Sequence, residues 1–184
     1  MKITAKWLTK VCACDPGIAW FAAQTESDGV AVVKKLMAED RDDWANWLIC
    51  RLFDRRQRIL YAVFAAEQVL DIFEKKYPDD KRPRLAIAAA RACIDDDSAA
   101  AAANAANAAY HAYAAANAAN AAYHAYAAAY AAYAAYAAYH AADAADAANA
   151  AYAATYAAYA AADRNKMKKK ILKYGQTLFT TEEK

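Results

Sequence analysis

The chain has 184 residues, a formal net charge of +2 and a hydrophobic fraction of 60%, much of which is alanine. This length is sufficient for one domain with a substantial core. The small net charge gives no general attraction to nucleic acid or to acidic membranes. The opening segment MKITAKWLTKVCACD contains no sustained apolar stretch, so we expect no signal peptide and a cytoplasmic protein.

Metal sites and membrane spans are also disfavoured. Cysteines 12, 14, 50 and 93 lack the C-x-x-C pairs and histidine spacing of a zinc site, so we interpret them as reduced structural thiols. The segment 98–142 is uncharged, but Asn, His or Tyr recurs every few residues and alanine barely favours lipid. We therefore predict no metal, no cofactor and no membrane insertion.

The first part of the chain alternates short apolar segments with breaks. Trp7, Leu8 and Val11 predict a short helix, and Asp-Pro-Gly at 15–17 breaks the chain after it. Residues 18–22 form another apolar helical turn, which Asp28-Gly29 interrupts. The apolar residues that follow have the spacing of one helical face. They are Val30, Val33, Leu36 and Met37.

Longer helices follow at 42–53 and at about 54–76. Tyr77-Pro78 stops the second one, because a residue before proline is pushed out of the helical region. Asp79 or Asp80 then supplies the cap of a new helix whose first turn accommodates Pro83. Since no stretch alternates with period two, we expect no sheet.

The segment 85–173 contains neither glycine nor proline and is dominated by alanine, the best helix former. One helix of this length would far exceed the diameter of a small domain, so the segment must fold back. Candidate turns lie at 93–98 and near Asn117, Asp143 and Asp163. Tyr130 begins a series with a tyrosine at every third residue, which sweeps around a helix and leaves alanine-lined faces for close packing.

These features predict an all-α protein, a multi-helix array or bundle with closely packed Ala-rich antiparallel helices. We divide the one compact domain into a Trp-rich part at 1–97, alanine-rich helices at 98–163 and a basic helix and tail at 164–184. The sequence NAANAAYHAYAAA occurs twice, at 104–116 and 117–129. The duplication indicates either a structural repeat or an expansion of low-complexity DNA.

Catalytic motifs are missing from the sequence. It contains no glycine-rich phosphate loop, no G-x-S-x-G and no H-E-x-x-H. The three histidines each follow a tyrosine in the alanine tract, and Asp143, one turn after His140, is the one acidic neighbour of any of them. We favour packed or exposed imidazoles over metal ligands and predict that the protein is not an enzyme.

Two sets of residues are candidates for binding. Eleven of the fourteen tyrosines fall at 110–159, where they either fill space between alanine faces or form an aromatic recognition surface. The arginines in and after YPDDKRPR either pair locally or form a fork for phosphate or carboxylate. The predicted binding residues are Arg82, Arg84, Arg91, Tyr110, His111, Tyr113, Tyr123, His124, Tyr126 and Tyr130.

The segment RNKMKKKILK at 164–173 carries six basic residues. We expect it to continue the preceding helix and to place its charges near the C-terminal end, where they suit the helix dipole. It is either a solvated terminal helix or a site for an acidic partner, and nucleic acid is the less favoured partner.

The segment AEQVLDIFEKKYPDDKRPRLAIAAARA at 66–92, the alanine-rich tract after it and the upstream DDWANWLICRL resemble the immunity proteins of bacterial polymorphic toxin systems, which also occur in phages and prophages. The resemblance implies an all-helical, non-enzymatic protein that blocks a toxin or effector protein. The alternative is a phage anti-defence protein that sequesters a nucleotide-type signalling molecule in a pocket lined by Tyr, His, Asn and Arg. Exposed Tyr and Ala faces also favour a homo-oligomer.

Overall fold

The computed structural model describes residues 1–96, 98–118, 130, 133, 143–160 and 163–180. Within these residues the chain forms nine helices and no strand, which confirms the predicted all-α multi-helix array. An isolated bridge joins Lys2 to Asp28. The helices are α1 (Ala5–Lys10), α2 (Asp15–Ala22), α3 (Gly29–Ala38), α4 (Asp42–Leu52), α5 (Arg55–Lys76), α6 (Arg82–Ala92), α7 (Ala99–Ala118), α8 (Asp143–Ala160) and α9 (Arg164–Leu178).

Side-chain caps fix where several helices begin. The Thr4 hydroxyl accepts from a backbone N–H of α1, and the Asp28 carboxylate accepts two N–H groups at the start of α3. Asp54 and Gln57 form a reciprocal capping box at the start of α5. The Asp163 carboxylate caps α9. Each cap satisfies N–H groups that a helix cannot satisfy internally.

The predicted turns agree with the described helix ends at two places. Helix α6 ends at Ala92 and α7 begins at Ala99, as predicted for 93–98, and Asp163 starts a new helix. Asn117 is the last residue but one of α7 as described, and α8 is described from Asp143 onward, so the turns expected near these two residues stay predictions. The other members of the three-residue tyrosine series, apart from Tyr130 and Tyr133, lie outside the described residues.

Three local predictions are wrong. The Asp-Pro-Gly at 15–17 begins α2 instead of breaking the chain, because proline fits the first turn of a helix. Neither Asp79 nor Asp80 occupies the N-cap of α6: Lys81 does, and the Asp80 carboxylate accepts from the first helical N–H at 3.1 Å. On α3 the buried face is shifted, since Val32 is buried while Val30 and Met37 are only half-buried.

The basic segment 164–173 does not extend the preceding helix. Because Asp163 caps a separate helix, five of the six positive charges fall in the first half of α9, where the dipole is unfavourable. Lys168 and Lys169 compensate by pairing with acidic residues at the start of α4 and in the turn before it. These pairs are Lys168–Asp43 at 2.6 Å and Lys169–Asp40 at 2.8 Å.

Alanine permits the close helix packing that the composition predicts. Helix α8 packs on α5, and α7 packs on α6. Both interfaces are built largely from alanines with no more than a tenth of their surface exposed. The buried alanines of α8 are Ala150, Ala153, Ala154, Ala157 and Ala158, and those of α5 are Ala62, Ala65 and Ala66. The buried alanines of α7 are Ala101, Ala102, Ala105, Ala109 and Ala112, and those of α6 are Ala86 and Ala90.

Polar side chains fix how these alanine-lined helices are positioned along one another. The Asn46 amide of α4 donates to the Ala151 carbonyl of α8 at 3.1 Å and accepts the Tyr61 hydroxyl of α5 at 2.8 Å. Tyr61 is fully buried. One turn before Tyr61, at the start of α5, the Gln57 amide donates to the Leu178 carbonyl of α9 at 2.9 Å. Methyl groups alone offer few contacts that distinguish one sliding position from another, so these buried bonds define the assembly.

Candidate functional site

A groove of about 260 Å³ lies between α6 and α7. Its position follows from the helical periodicity. On α6, burial of Ala86 and Ala90 turns Leu85 outward, and on α7 the buried alanines leave a polar row on the opposite side. The lining residues are Arg82, Leu85, Asn104, Asn107, Ala108 and His111.

Two large side chains remain exposed on this side of the molecule. Leu85 is 61% exposed and Tyr110 is 65% exposed. Tyr110 precedes His111 on α7, and their rings meet edge to face with centroids 5.8 Å apart. We call this surface the groove face and define it as Arg82, Leu85, Asn104, Asn107, Tyr110 and His111. It brings together three of the residues predicted from the sequence, namely Arg82, Tyr110 and His111.

The three predicted arginines all have carboxylate partners. Arg82 binds Asp80 through two nitrogen atoms, at 2.9 and 2.6 Å. The hydrogen bond from Arg84 holds the pKa of the Glu74 carboxyl below its usual value, and the bond from Arg82 does the same for Asp80. Local pairing therefore occupies the guanidinium groups, and a role for them in binding stays a prediction. The pairs are Arg82–Asp80, Arg84–Glu74 and Arg91–Glu67.

Tyr130 lies in a second aromatic group, against α8. Its ring stacks on Tyr156 with centroids 5.2 Å apart and an interplanar angle of 4°, and it also contacts Tyr152 and Tyr133. Tyr152 is 51% exposed. The Arg164 guanidinium lies 5.3 Å from the ring centroid of Tyr159. We call Tyr130, Tyr133, Tyr152, Tyr156 and Tyr159 the tyrosine cluster.

The remaining predicted binding residues are not tested by the structure. Tyr113 belongs to α7, while Tyr123, His124 and Tyr126 lie outside the described residues. In the described part of the chain, no group of three or more His, Cys, Asp or Glu side chains is arranged to hold a metal ion. None of the helices in that part combines the length and apolarity that a membrane crossing requires.

Sequence reasoning missed an aromatic cavity among α1–α4. The structure packs Trp20, Trp44 and Trp47 against the core and also places them around a cavity of about 290 Å³. The signal that could have found it is the distribution of tryptophan, since all four tryptophans of the chain lie within residues 7–47.

The fold and the groove face define an all-α protein whose alanine-packed helices present an aromatic and polar surface. A family model described as "Imm-5 like putative immunity protein" matches residues 49–177. The match covers well over half of the chain, which therefore belongs to this family, and it confirms the resemblance drawn from residues 66–92. Neither a curated protein nor a solved structure matches the chain.

Family membership supports a general role in immunity. The matched range begins within α4 and ends within α9, so it includes both the groove face and the tyrosine cluster. The first three helices and all of the residues that line the cavity among α1–α4 precede it.

Proposed function

We propose that the chain is a non-enzymatic immunity protein that neutralises a toxin or effector protein by binding it with the groove face. The observation that carries this proposal is the exposure of Leu85, which lines the groove, and of Tyr110, whose ring contacts the groove-lining His111. Exposed large apolar groups framed by polar residues are typical of protein interfaces, where tyrosine is a frequent energetic hot spot.

The chemistry of the groove face suits a protein partner. Leu85 offers an apolar contact, and Tyr110 combines a broad ring with a hydroxyl that can remain hydrogen-bonded after burial. Asn104 and Asn107 supply donors and acceptors along the edge of the groove. The ion pair of Arg84 with Glu74 is exposed on the arginine side, so it contributes little to stability and leaves a polar rim.

The test combines a growth assay with affinity measurements. Candidate toxins of polymorphic toxin systems are each expressed with the wild type, with Tyr110→Ala or with Leu85→Glu, and each purified pair is titrated by calorimetry. We expect each change to weaken binding by at least about tenfold, since loss of an interface hot spot costs roughly 2 kcal/mol. Protection against the toxin should fall in the same order.

Tyr152→Ala is the matched control because it removes an exposed tyrosine from the tyrosine cluster instead. We expect this control to bind within about twofold of the wild type. If Tyr152→Ala abolishes binding while the groove-face variants bind normally, the partner uses the tyrosine cluster. If the wild type binds no protein partner and gives no protection, toxin neutralisation is wrong. Melting temperatures of all variants exclude unfolding as the cause.

A nucleotide-type ligand is the alternative, and one observation favours it. The groove gathers Arg82, His111 and two asparagines around a volume of about 260 Å³, and such side chains recognise bases and phosphates. The bidentate bond of Arg82 to Asp80 counts against it, because the guanidinium would have to exchange that partner for phosphate. A protein partner is therefore the stronger proposal.

Thermal shift measurements with linear and cyclic nucleotides distinguish nucleotide binding from binding of a protein partner. A nucleotide at about 100 times its Kd stabilises the folded state by about 2.7 kcal/mol, which corresponds to roughly 5–10 °C in a chain of this size. Such a shift in the wild type that His111→Ala removes would support nucleotide capture. The absence of a shift with every nucleotide would exclude it and leave the protein-binding proposal intact.

A further inference from the structure

The cavity among α1–α4, which we call the tryptophan cavity, has the size and walls of a small-molecule site. Its volume of about 290 Å³ is close to the lower end of the range for ligand pockets, which is about 300 Å³. Cys12 and Cys14 line it and are exposed, so it opens to solvent and a ligand can enter. All four helices contribute apolar wall residues, namely Leu8, Trp20, Phe21, Leu36, Trp44 and Trp47.

A polar clamp holds two of these walls in place. The Trp20 indole N–H donates to Glu39 at 2.8 Å, and Arg41 donates to the same carboxylate oxygen at 3.1 Å. The rings of Trp20 and Trp44 meet edge to face with centroids 6.4 Å apart. Because α2 is tied to the α3–α4 turn in this way, the aromatic walls are in position before any ligand binds.

Among the described residues, the charged side chain that lines this cavity is the carboxylate of Asp43. Asp43 lies in the first turn of α4, and its side chain is 73% exposed, so it lies at the opening of the cavity and not in its interior. Lys168 donates to Oδ1 at 2.6 Å. A carboxylate has two acceptor oxygens and can bind a second donor at the same time. The charge at the opening therefore favours a cationic ligand.

The tryptophan rings also favour a cation. The face of an indole ring carries negative potential, and tryptophan is the aromatic residue that attracts cations most strongly. The Arg41 guanidinium already lies 4.7 Å from the Trp44 ring centroid, and that of Arg51 lies 5.1 Å from the Trp47 centroid. Neither arginine lines the cavity, so the ring surfaces that face the cavity are not the ones that these groups cover. Several tryptophans beside a carboxylate have the composition of an aromatic cage for an ammonium group.

We propose that the tryptophan cavity binds a small organic cation, with an ammonium group on an apolar body of single-ring size. The body occupies the apolar interior, and the ammonium group lies at the opening, between the Asp43 carboxylate and the tryptophan rings. Apolar walls with one polar group that fixes the orientation of the ligand are the usual arrangement in small-molecule sites. This site is separate from the groove face, so its failure would leave the proposed function untouched.

The four tryptophans provide a direct assay. Their indole N–H groups give four signals in a ¹H–¹⁵N spectrum, of which Trp20, Trp44 and Trp47 report on the cavity. Trp7 does not line the cavity and serves as the internal reference. The probes are 2-phenylethylamine and 2-phenylethanol, because they have nearly the same shape and differ in charge at neutral pH. Ammonium chloride at the same ionic strength is the blank.

We expect the amine to shift the three cavity signals in a saturable way and to leave Trp7 nearly unchanged. It should bind about fivefold more tightly than the alcohol, because its charge gains from the indole faces and from a largely exposed carboxylate. Asp43→Asn should reduce that preference to about twofold or less while leaving alcohol binding within about twofold of the wild type.

Asp40→Asn is the matched control. Asp40 is 77% exposed and pairs with Lys169 of α9 as Asp43 pairs with Lys168, but it does not line the cavity. The two variants therefore lose the same charge and an equivalent surface ion pair, and differ in whether the carboxylate reaches the cavity. We expect Asp40→Asn to retain the full preference for the amine.

Three results would overturn the proposal. The first is the absence of saturable shifts of the cavity signals with the amine at millimolar concentration. The second is equal affinity of the wild type for the amine and the alcohol, which would make the cavity a site for neutral apolar ligands. The third is an equal loss of preference in Asp40→Asn and Asp43→Asn, which would mean that general surface charge attracts the amine. The comparison of the two probes uses the wild type, so it remains decisive even if a variant fails to fold.

Discussion

Replacing Gly175 by alanine should destabilise the protein, although alanine is the better helix former. Gly175 is buried in α9, and a Cβ atom there would lie 2.9 Å from Cε2 of Tyr61 and 3.3 Å from Cγ2 of Ile49. Carbon atoms prefer separations of about 3.5–4.0 Å. The Tyr61 ring is fully buried and its hydroxyl donates to Asn46 at 2.8 Å, so the ring cannot retreat without straining that bond.

Two opposing effects set the change in unfolding free energy that Gly175→Ala causes. Alanine gains about 1 kcal/mol over glycine inside a helix. Inserting a methyl group into a packed core costs typically about 1–3 kcal/mol. Because the contact with Tyr61 is short and the ring is fixed, we expect a net loss of about 1 kcal/mol, within a range of about 0–2. In a chain of this size, a loss of 1 kcal/mol lowers Tm by roughly 2–4 °C.

Gly17→Ala is the matched control. The new Cβ would meet Sγ of Cys14 at 3.3 Å, and Cys14 is an exposed side chain that can rotate away. The same change should therefore be neutral or stabilise the protein by up to about 1 kcal/mol. Urea unfolding followed by circular dichroism gives both values. The packing argument is refuted if Gly175→Ala stabilises the protein as much as Gly17→Ala does.

Three further changes test the polar contacts. Tyr61→Phe leaves the Asn46 oxygen without its buried donor and should cost about 1–3 kcal/mol, and a double-mutant cycle with Asn46→Ala in urea unfolding should show coupling between the two residues. Asp42→Asn should gain stability relative to the wild type as pH rises from about 4 to 7 in the same assay, because burial, the largest cause, raises the pKa of the Asp42 carboxyl. Lys169→Gln should leave the urea midpoint nearly unchanged in low salt, because its bond with Asp40 joins two exposed side chains.

The sign for Asp42 follows from proton binding. A carboxyl whose pKa is raised on folding binds protons more tightly in the folded state, so its contribution is most unfavourable above the folded pKa and vanishes below the unfolded pKa. A difference between Asp42→Asn and wild type that is constant with pH would contradict this assignment.

Additive effects of Tyr61→Phe and Asn46→Ala would show that their bond does not stabilise the fold. A large fall in the urea midpoint of Lys169→Gln would mean that this surface pair is required for the stability of the fold.

Individual helices show how far local sequence signals reach. Tyr77-Pro78 stops α5 at Lys76 as predicted, because the steric restriction before proline acts between neighbouring residues. The first half of α9, in contrast, could not be predicted from local sequence. Its lysines lie where the dipole disfavours them, and their partners Asp40 and Asp43 are more than a hundred residues away along the chain. No local pattern indicates such a partner.

The candidate sites also depend partly on local sequence and partly on how the helices pack. Tyr110 and His111 were identified by residue type, but their alignment with Arg82 depends on which faces of α6 and α7 are buried. The tryptophan cavity has no counterpart in a local sequence pattern, since it depends on how α1–α4 pack against one another.

The sequence by itself determined an all-helical chain, because a long alanine-rich segment without glycine or proline has no competing backbone state of similar free energy. It also determined family membership through residues 49–177. Only the tertiary structure decided which alanine faces pack together, because a methyl group fits equally well against many neighbours. Partly buried hydrogen bonds such as that of Asn46 with Ala151 select one arrangement of α4 and α8. The packing of α6 on α7 likewise decides which side chains line the groove.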